Sequence, residues 1–440
     1  MDNTMNRRHF IGKNAAAVVS ATVVSASGPD LAAQEQGAKP IRIGVIGPGG
    51  RGTGMMQWLI TQNAGVDVTA ICDINQAHVD NAVNIVKKIK GNTPVGYCKG
   101  PYGYRQMLER DDIDAVLITT PVPWHARMAI DSMKAGKHVG TEVTAGHDLN
   151  ELWELVKTKE ETGKRYMMLE NYIYWQKHMM VYNMVRQGVF GDLQFGECSY
   201  VHDCRFLMFK RDGSLTWRGE LYRDVPGNWY PTHALGPVCK WFGINDGDRL
   251  EYCTSMATSS TMDNKYAAQK FGADSPQAKM KYKAPDFVST TIRTAKGRVI
   301  RTDFTTQCNR PVSHYYMLQG SNATFDEQYD SHCKIAIGGH SWGNLAECQE
   351  KYNHNFWKKD GAAADRAGHL GGDYFVLREF VNMVRHDREP WIDVYDAASW
   401  SVITHCSNLS ISQGSKPVEI PDFTEGRWQN PNWRKANWPA

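Results

Sequence analysis

This sequence predicts an α/β fold: a doubly wound parallel sheet, followed by an α+β domain with an open, largely antiparallel sheet. Three observations predict it. A β-branched run at 41–46 leads into the turn Gly47-Pro-Gly49-Gly-Arg51-Gly52 and then into an apolar, helix-like stretch at 55–60. Strand-like and helix-like segments then alternate as far as residue 169, the pattern of parallel strands joined by helical crossovers. From residue 194 the texture changes to apolar–polar alternation, as expected of antiparallel strands with one face covered.

The turn has the spacing G-x-G-x-x-G between a strand and a helix. Glycines there let the backbone turn tightly and approach a pyrophosphate, whose charge faces a helix N-terminus. A second strand, 66–72, ends at Asp73, 21 residues after Gly52. A carboxylate at that distance meets the adenosine ribose hydroxyls and favours NAD over its 2′-phosphorylated form. Next come a buried-strand run at 114–119, the segment Thr120-Pro-Val122-Pro123-Trp124-His125, a helix at 126–135 and a strand leading to Glu142. A helix at 148–163 and a strand at 165–169 end at Glu170-Asn171. Residues 120–125, Glu142 and Glu170-Asn171 all fall at C-terminal strand ends, where such sheets bind ligands. A helix at 179–188 precedes strands at 194–202, 251–260, 286–294, 297–306 and 314–320. Helices at 374–387 and 394–413 are expected to pack back on the first domain. The reading is therefore a signal peptide at 1–33, an NAD-binding Rossmann domain at 40–170 and a substrate-binding α+β domain at 171–440.

Composition narrows the function. Fifty Lys and Arg against 47 Asp and Glu leave a net charge of +3 and no basic tract, which argues against a nucleic-acid partner. Asn6-Arg7-Arg8-His9-Phe10 before the small apolar run 15–26 reads as a twin-arginine export signal, and the expected location is periplasmic. That run is too short and weak to remain as a stable membrane span. Ten cysteines without paired C-x-x-C spacing read as buried free thiols, with an occasional bridge left open. Fourteen Trp and nineteen Tyr suit both sugar stacking and large cores. The HLGGD stretch at 369–373 could reach the site, but the further ligands a metal needs are not evident, so no metal is expected. A homo-oligomer is left open.

The order of elements resembles the Gfo/Idh/MocA family over essentially the whole chain after the signal. Most members carry Glu-Lys-Pro before the crossover; here Glu142-Val143-Thr144 removes the lysine of an ordinary sugar dehydrogenase. The stretches Met167-Met-Leu-Glu-Asn171, Met184-Val-Arg-Gln-Gly188, His202-Asp203, Trp217-Arg218, Tyr230-Pro231-Thr232-His233 and Val394-Tyr-Asp-Ala-Ala-Ser-Trp400 are similar to one branch. That branch is glycoside hydrolase family 109, the NAD-dependent α-N-acetylgalactosaminidases. The resemblance implies nucleotide contacts from Gly47, Gly49, Arg51, Gly52 and Asp73, and from Val122, Pro123, Trp124 and His125. It adds Glu142, Val143, Asn171 and Tyr230. Sugar contacts are implied for Tyr200, Arg218, Tyr230, Pro231, Thr232 and His233. It also implies a catalytic cycle in which NAD⁺ oxidises C3 of the sugar, C1–C2 elimination and hydration follow, and the hydride returns. The branch usually has a tyrosine in an Arg-Pro-Tyr-Ser segment at the substrate, where this chain has Arg310-Pro311-Val312-Ser313. An altered sugar preference is therefore expected, and Tyr315, on the opposite strand face, is a poor substitute.

His233 lies between a loop and a helix start, where an isolated histidine would cap the helix. The Tyr230-Pro231-Thr232-His233 context shared with the branch makes it instead the expected general base, an imidazole being matched to neutral pH. Tyr174 and Glu142 are the expected assistants in proton movement. The competing functions are an NAD-dependent sugar 3-dehydrogenase and a non-catalytic carbohydrate-binding protein.

Overall fold

In the computed structural model, residues 39–63, 65–328, 332–430 and 432–434 are described. The export-signal reading at Arg7 and Arg8 lies outside them.

Six short strands form the first sheet: β1 (Ile41–Ile46), β2 (Val66–Cys72), β3 (Val95–Tyr97), β4 (Ala115–Ile118), β5 (His138–Thr141) and β6 (Tyr166–Met168), all but the exposed edge strand β3 largely buried. They pair in the order β3-β2-β1-β4-β5-β6, all parallel. Ile43, Val45, Val68, Val116, Leu117 and Val139 have no exposed surface, as befits strands covered on both faces. The order reverses between β1 and β4, so the crevice for a ligand opens at their C-terminal ends. The crossovers are α1 (Gly50–Gln62), α2 (Gln76–Lys90), α3 (Gly103–Leu108), α4 (His125–Lys134) and α5 (Leu149–Thr162). Helix α5 shows why the sequence marked its ends. Asp148 accepts from the N–H groups of Asn150 and Glu151, and Gly163 closes the helix at φ 64°.

Helix α6 (Gln176–Arg186) leads into β7 (Leu193–Val201), followed by α7 (Trp217–Asp224) and α8 (Thr232–Phe242). The second sheet adds β8 (Leu250–Ala257), β9 (Val288–Thr294), β10 (Val299–Thr305), β11 (Tyr316–Gly320), β12 (Ala323–Gln328), β13 (His332–Ile337) and β14 (Val418–Glu419). Between β8 and β9 lie α9 (Met262–Phe271) and α10 (Pro276–Lys279). The strand order is β13-β12-β11-β7-β10-β9-β8-β14. Only β7 and β10 run parallel within it. Helix α8 lies on this sheet so closely that a Cβ on Gly196 would stand 2.7 Å from Val238.

After α11 (Leu345–Tyr352) and α12 (Asn355–Ala364), helix α13 (Gly372–Arg385) returns to the parallel sheet. Phe380 fills the space above Gly140, where an added Cβ would meet its ring at 2.8 Å. The expected helix at 394–413 is interrupted only at Val402, giving α14 (Val394–Ser401) and α15 (Ile403–Ser412). No helix among the described residues is long and apolar enough to cross a membrane.

Candidate active site

The glycine-rich turn is locked by its neighbours. Gly47 adopts φ 83°, and Thr119 Oγ1 and Gly49 N–H both donate to its carbonyl at 2.8 Å. A Cβ on Gly52 would lie 2.3 Å from Thr119 Oγ1 and 2.4 Å from the Gly47 carbonyl. The outer side of the turn is open: beside Gly49 an added Cβ would find only His78, at 3.8 Å, and beside Gly50 nothing. Helix α1 has no side-chain cap and no acid in its first turn. Its first N–H groups therefore point outward without an intrahelical partner, an arrangement that attracts an anion. Asp73 stands at the end of β2, accepting from Asn75 N–H at 2.8 Å and lying 3.2 Å from His78 Nδ1.

Two further strand ends close the crevice. Val122, Pro123 and Trp124 form a 3₁₀ turn after β4, with Trp124 edge-on to Tyr102. His125 is buried beneath it, each ring nitrogen 2.7 Å from a backbone carbonyl, those of Thr120 and Thr144, so its ring ties the β4 and β5 loops together. Glu142 follows β5; its Oε1 accepts from Arg51 Nε at 2.8 Å, and its Oε2 accepts from the Val143 N–H at 3.2 Å. Arg51 also makes a paired contact with Asp373 of α13, at 2.7 and 2.8 Å.

At the end of β6 the chain places Glu170 and Asn171. Glu170 has no exposed surface; its Oε1 accepts from the Tyr172 N–H at 2.7 Å, and its Oε2 lies 2.6 Å from His233 Nδ1. Burial pushes the Glu170 carboxyl well above the usual carboxylate range. Burial likewise pulls His233 down to about 3, the nearby Glu142 charge opposing this only in part. Neither charged form is favoured, so the pair titrates as a unit. Among the described residues nothing hydrogen-bonds His233 Nε2. The imidazole stacks on Tyr172, with ring centres 4.1 Å apart and planes 13° apart, and meets Tyr200 and Tyr230 at 5.5 and 5.1 Å. Tyr316 donates to the His233 carbonyl at 2.8 Å and fixes its backbone.

The other expected residues fall around this wall. Pro231 precedes α8, and Thr232 is buried with its hydroxyl unpartnered among the described residues. Arg218 lies over the Trp217 ring at 4.2 Å, and its positive charge reaches Tyr200 and Tyr230. Val312 is 51 % exposed. Nearby, His314 Nδ1 accepts from Val201 N–H at 3.2 Å, and its ring stacks on Tyr200 at 4.8 Å. Burial holds His314 at about 3. Tyr174 sits apart from these contacts: its ring is buried edge-on to Trp391 and stacked over Phe375. Residues 172–174 form a 3₁₀ turn, in which positions two apart point in different directions, so Tyr172 takes the place beside His233.

Comparison with known proteins settles the family. Residues 174–430 match the model for the glycosyl hydrolase 109 C-terminal domain, and residues 41–170 match that for an oxidoreductase-family NAD-binding Rossmann fold. A "Glycosyl hydrolase family 109 protein 1" of Shewanella sp. strain ANA-3 is 37% identical over 97% of this chain and 98% of its own length. The chain belongs to glycosyl hydrolase family 109. Also 37% identical, over the same shares, is a Shewanella oneidensis protein named alpha-N-acetylgalactosaminidase. Among solved structures, an oxidoreductase domain protein from Kribbella flavida superposes with a TM-score of 0.68 at 18% identity, over 87% of this chain and 100% of its own. Levoglucosan dehydrogenase in complex with NADH gives 0.67 at 15%, over the same shares, and shows the same fold.

This family 109 chain is an NAD-dependent glycoside hydrolase. Its own residues fit the dinucleotide: the α1 turn is open to an anion, and Asn171 Oδ1 is buried without a partner among the described residues. Two participants were absent from the expected set. Glu170 falls at a strand end in the sequence, but its contact with His233 spans 63 residues and no local spacing encodes it. His369, flagged within HLGGD, lies 2.9 Å through Nδ1 from Asp373 Oδ2 and 3.3 Å from Arg51. It is close enough for its charge to be felt at both His233 and Glu170.

Proposed function

We propose that this chain hydrolyses a terminal glycoside by oxidation at C3, elimination across C1–C2, addition of water and reduction at C3, without net consumption of NAD. The observation that carries the reading is the buried Glu170–His233 pair at 2.6 Å, set at the ligand-binding end of the parallel sheet and walled by three tyrosines. When bound, NAD⁺ supplies reversible hydride exchange with C3. The groups that would hold it are the first-turn amides of α1, Asp73 at the ribose, the 122–125 turn and the free Oδ1 of Asn171.

His233 serves as the base. In the deprotonated pair, Nδ1–H donates to the Glu170 carboxylate, and the Nε2 lone pair is free to take the 3-hydroxyl proton. Once that proton passes to solvent the same lone pair takes the C2 proton on elimination, and Nε2 returns protons to C2 on addition of water and to the C3 oxygen on reduction. If the pair retains its proton, Glu170 donates to Nδ1 and Nε2 carries the hydrogen, so the base is lost. The rings of Tyr200 and Tyr230 offer the apolar surfaces on which a sugar stacks. His369 is 44 % exposed at its side chain and held at Nδ1 by Asp373, which leaves Nε2 to protonate the departing C1 oxygen and to take a proton from the incoming water. Glu142, bound to Arg51, acts on the cofactor side and holds that guanidinium in place.

Specificity is α-N-acetylgalactosaminidase-like but altered, because Val312 offers no hydroxyl at the sugar. Export by the twin-arginine route to the periplasm belongs to the same proposal, supported by Arg7-Arg8 and the apolar run behind them. The test is incubation with aryl α- and β-glycosides without added cofactor. Release of the phenol is expected. Reduced-nicotinamide absorbance without phenol release would mark a sugar dehydrogenase, and silence in both a binding protein.

A further inference from the structure

Asp373, the last residue of the HLGGD stretch, gathers three segments of the site. Its Oδ1 accepts from Asn171 Nδ2 at 2.8 Å and from Arg51 Nη2 at 2.8 Å. Its Oδ2 accepts from Arg51 Nη1 at 2.7 Å and from His369 Nδ1 at 2.9 Å. One carboxylate, 2 % exposed, thus joins the first turn of α1, the end of β6 and the loop before α13. Burial works against its charge, but Arg51 and His369 hold its pKa well below the usual carboxylate range.

The loop that delivers it is tightly seated. His369, Leu370 and Gly371 follow one another at φ 51°, 51° and 84°, conformations that cost the two non-glycine residues energy unless the surroundings fix them. The surroundings do: a Cβ on Gly371 would lie 2.6 Å from Trp357, and one on Gly372 2.3 Å from the Asn171 carbonyl. The segment has no slack relative to Asn171, so the carboxylate is presented at a fixed height above the α1 turn.

We propose that Asp373 is a positioning residue for the dinucleotide, acting through Arg51 and Asn171, and that it makes NAD retention depend on the same carboxylate that orients His369. Without it Arg51 has only Glu142 as a described carboxylate partner, and the Asn171 amide is free to rotate its Oδ1 away from the crevice. Charge-assisted, paired hydrogen bonds are the kind whose loss is felt in position as well as energy. The proposal rests on the dinucleotide lying against the α1 turn, as read above.

The test is NADH binding, followed by nicotinamide fluorescence on the full-length protein stripped of nucleotide. Asp373→Asn and Arg51→Gln are each expected to raise the Kd for NADH roughly 10-fold or more, the scale of one charged hydrogen bond. The double variant should be no worse than Asp373→Asn alone, because that change already breaks the linkage through Arg51 together with the one through Asn171. Asp373→Asn binding within twofold of wild type, or losses that multiply in the double variant, would overturn the proposal. Should Asp373→Asn not fold, wild-type-like NADH binding by Arg51→Gln overturns it as well, since that guanidinium is a third exposed and its loss spares the core. Gly52→Ala separates the two failures. If it too leaves NADH binding unchanged, the placement of the dinucleotide is wrong. If it alone impairs binding, only the role of Asp373 is.

Discussion

Replacing Gly52 by alanine tests the seating of the dinucleotide through a single methyl group. The added Cβ would stand 2.4 Å from the Gly47 carbonyl and 2.3 Å from Thr119 Oγ1, about 1 Å inside ordinary contact with each. Relief requires the turn to move outward. That breaks the Thr119 Oγ1–Gly47 bond and strains the Gly49–Gly47 bond, both 2.8 Å, at about 0.5–1.5 kcal/mol each. Overpacking of this kind adds roughly 1–3 kcal/mol. The expected destabilisation is therefore on the order of 2–6 kcal/mol, read as a lowered urea midpoint with an unchanged slope. NADH binding, measured by fluorescence on the folded fraction, should fall in parallel, because the displaced turn no longer presents the α1 amides to a pyrophosphate. A Gly52→Ala protein with wild-type stability and wild-type NADH affinity would refute the argument, since neither the contact distances nor the role of the turn would survive it.

Three other expectations concern the chemistry. His233→Ala should abolish glycoside turnover while NAD stays bound, with a rate loss on the order of 10²–10⁴; near-normal activity would leave His233 a helix-end residue only. The acid limb of the kcat/KM–pH profile should lie above the ordinary carboxylate range, because the Glu170 pKa is raised and the base exists only once the pair has lost its proton. Activity is thus present at high pH and lost as pH falls through that raised value, and Glu170→Gln should remove this limb; an unchanged profile in that variant would exclude the pair. Val312→Tyr should shift activity toward N-acetylgalactosaminides at the expense of the glycoside the wild type prefers, and efficient cleavage of α-N-acetylgalactosaminide by the wild type would show the phenol to be dispensable.

Five strands of the parallel sheet were legible because they are short apolar runs ended by glycine, Asp73 or Glu142 or by Glu170, signals carried within a few residues; β3, an exposed Val-Gly-Tyr at the sheet edge, was not. Helix α5 was legible from the helical spacing of Leu149, Leu152, Trp153 and Val156, a signal equally local. Strands β12 and β13 were not foreseen: Ala323 and Phe325 alternate with polar residues over too short a span to stand out, and pairing with β11 is what makes them strands. In the site, Asp73 and the glycines were picked out by local pattern, and His233 by the Tyr-Pro-Thr-His context shared with the branch. The choice of Tyr172 over Tyr174 beside His233 depends on a 3₁₀ turn that the aromatic run 172–175 does not announce. Asp373 meets Arg51 across 322 residues and Asn171 across 202, contacts that no local spacing encodes.

The central claim is that hydride leaves and returns to C3 of the same sugar while the proton at C2 exchanges. Hydrolysis in D₂O of an aryl glycoside labelled with deuterium at C3, without added NAD, tests it directly. The account predicts free sugar that keeps its C3 label and gains solvent deuterium at C2. A product that keeps its original hydrogen at C2 would mean that the glycosidic bond breaks by direct displacement, and that the dinucleotide has no part in the chemistry.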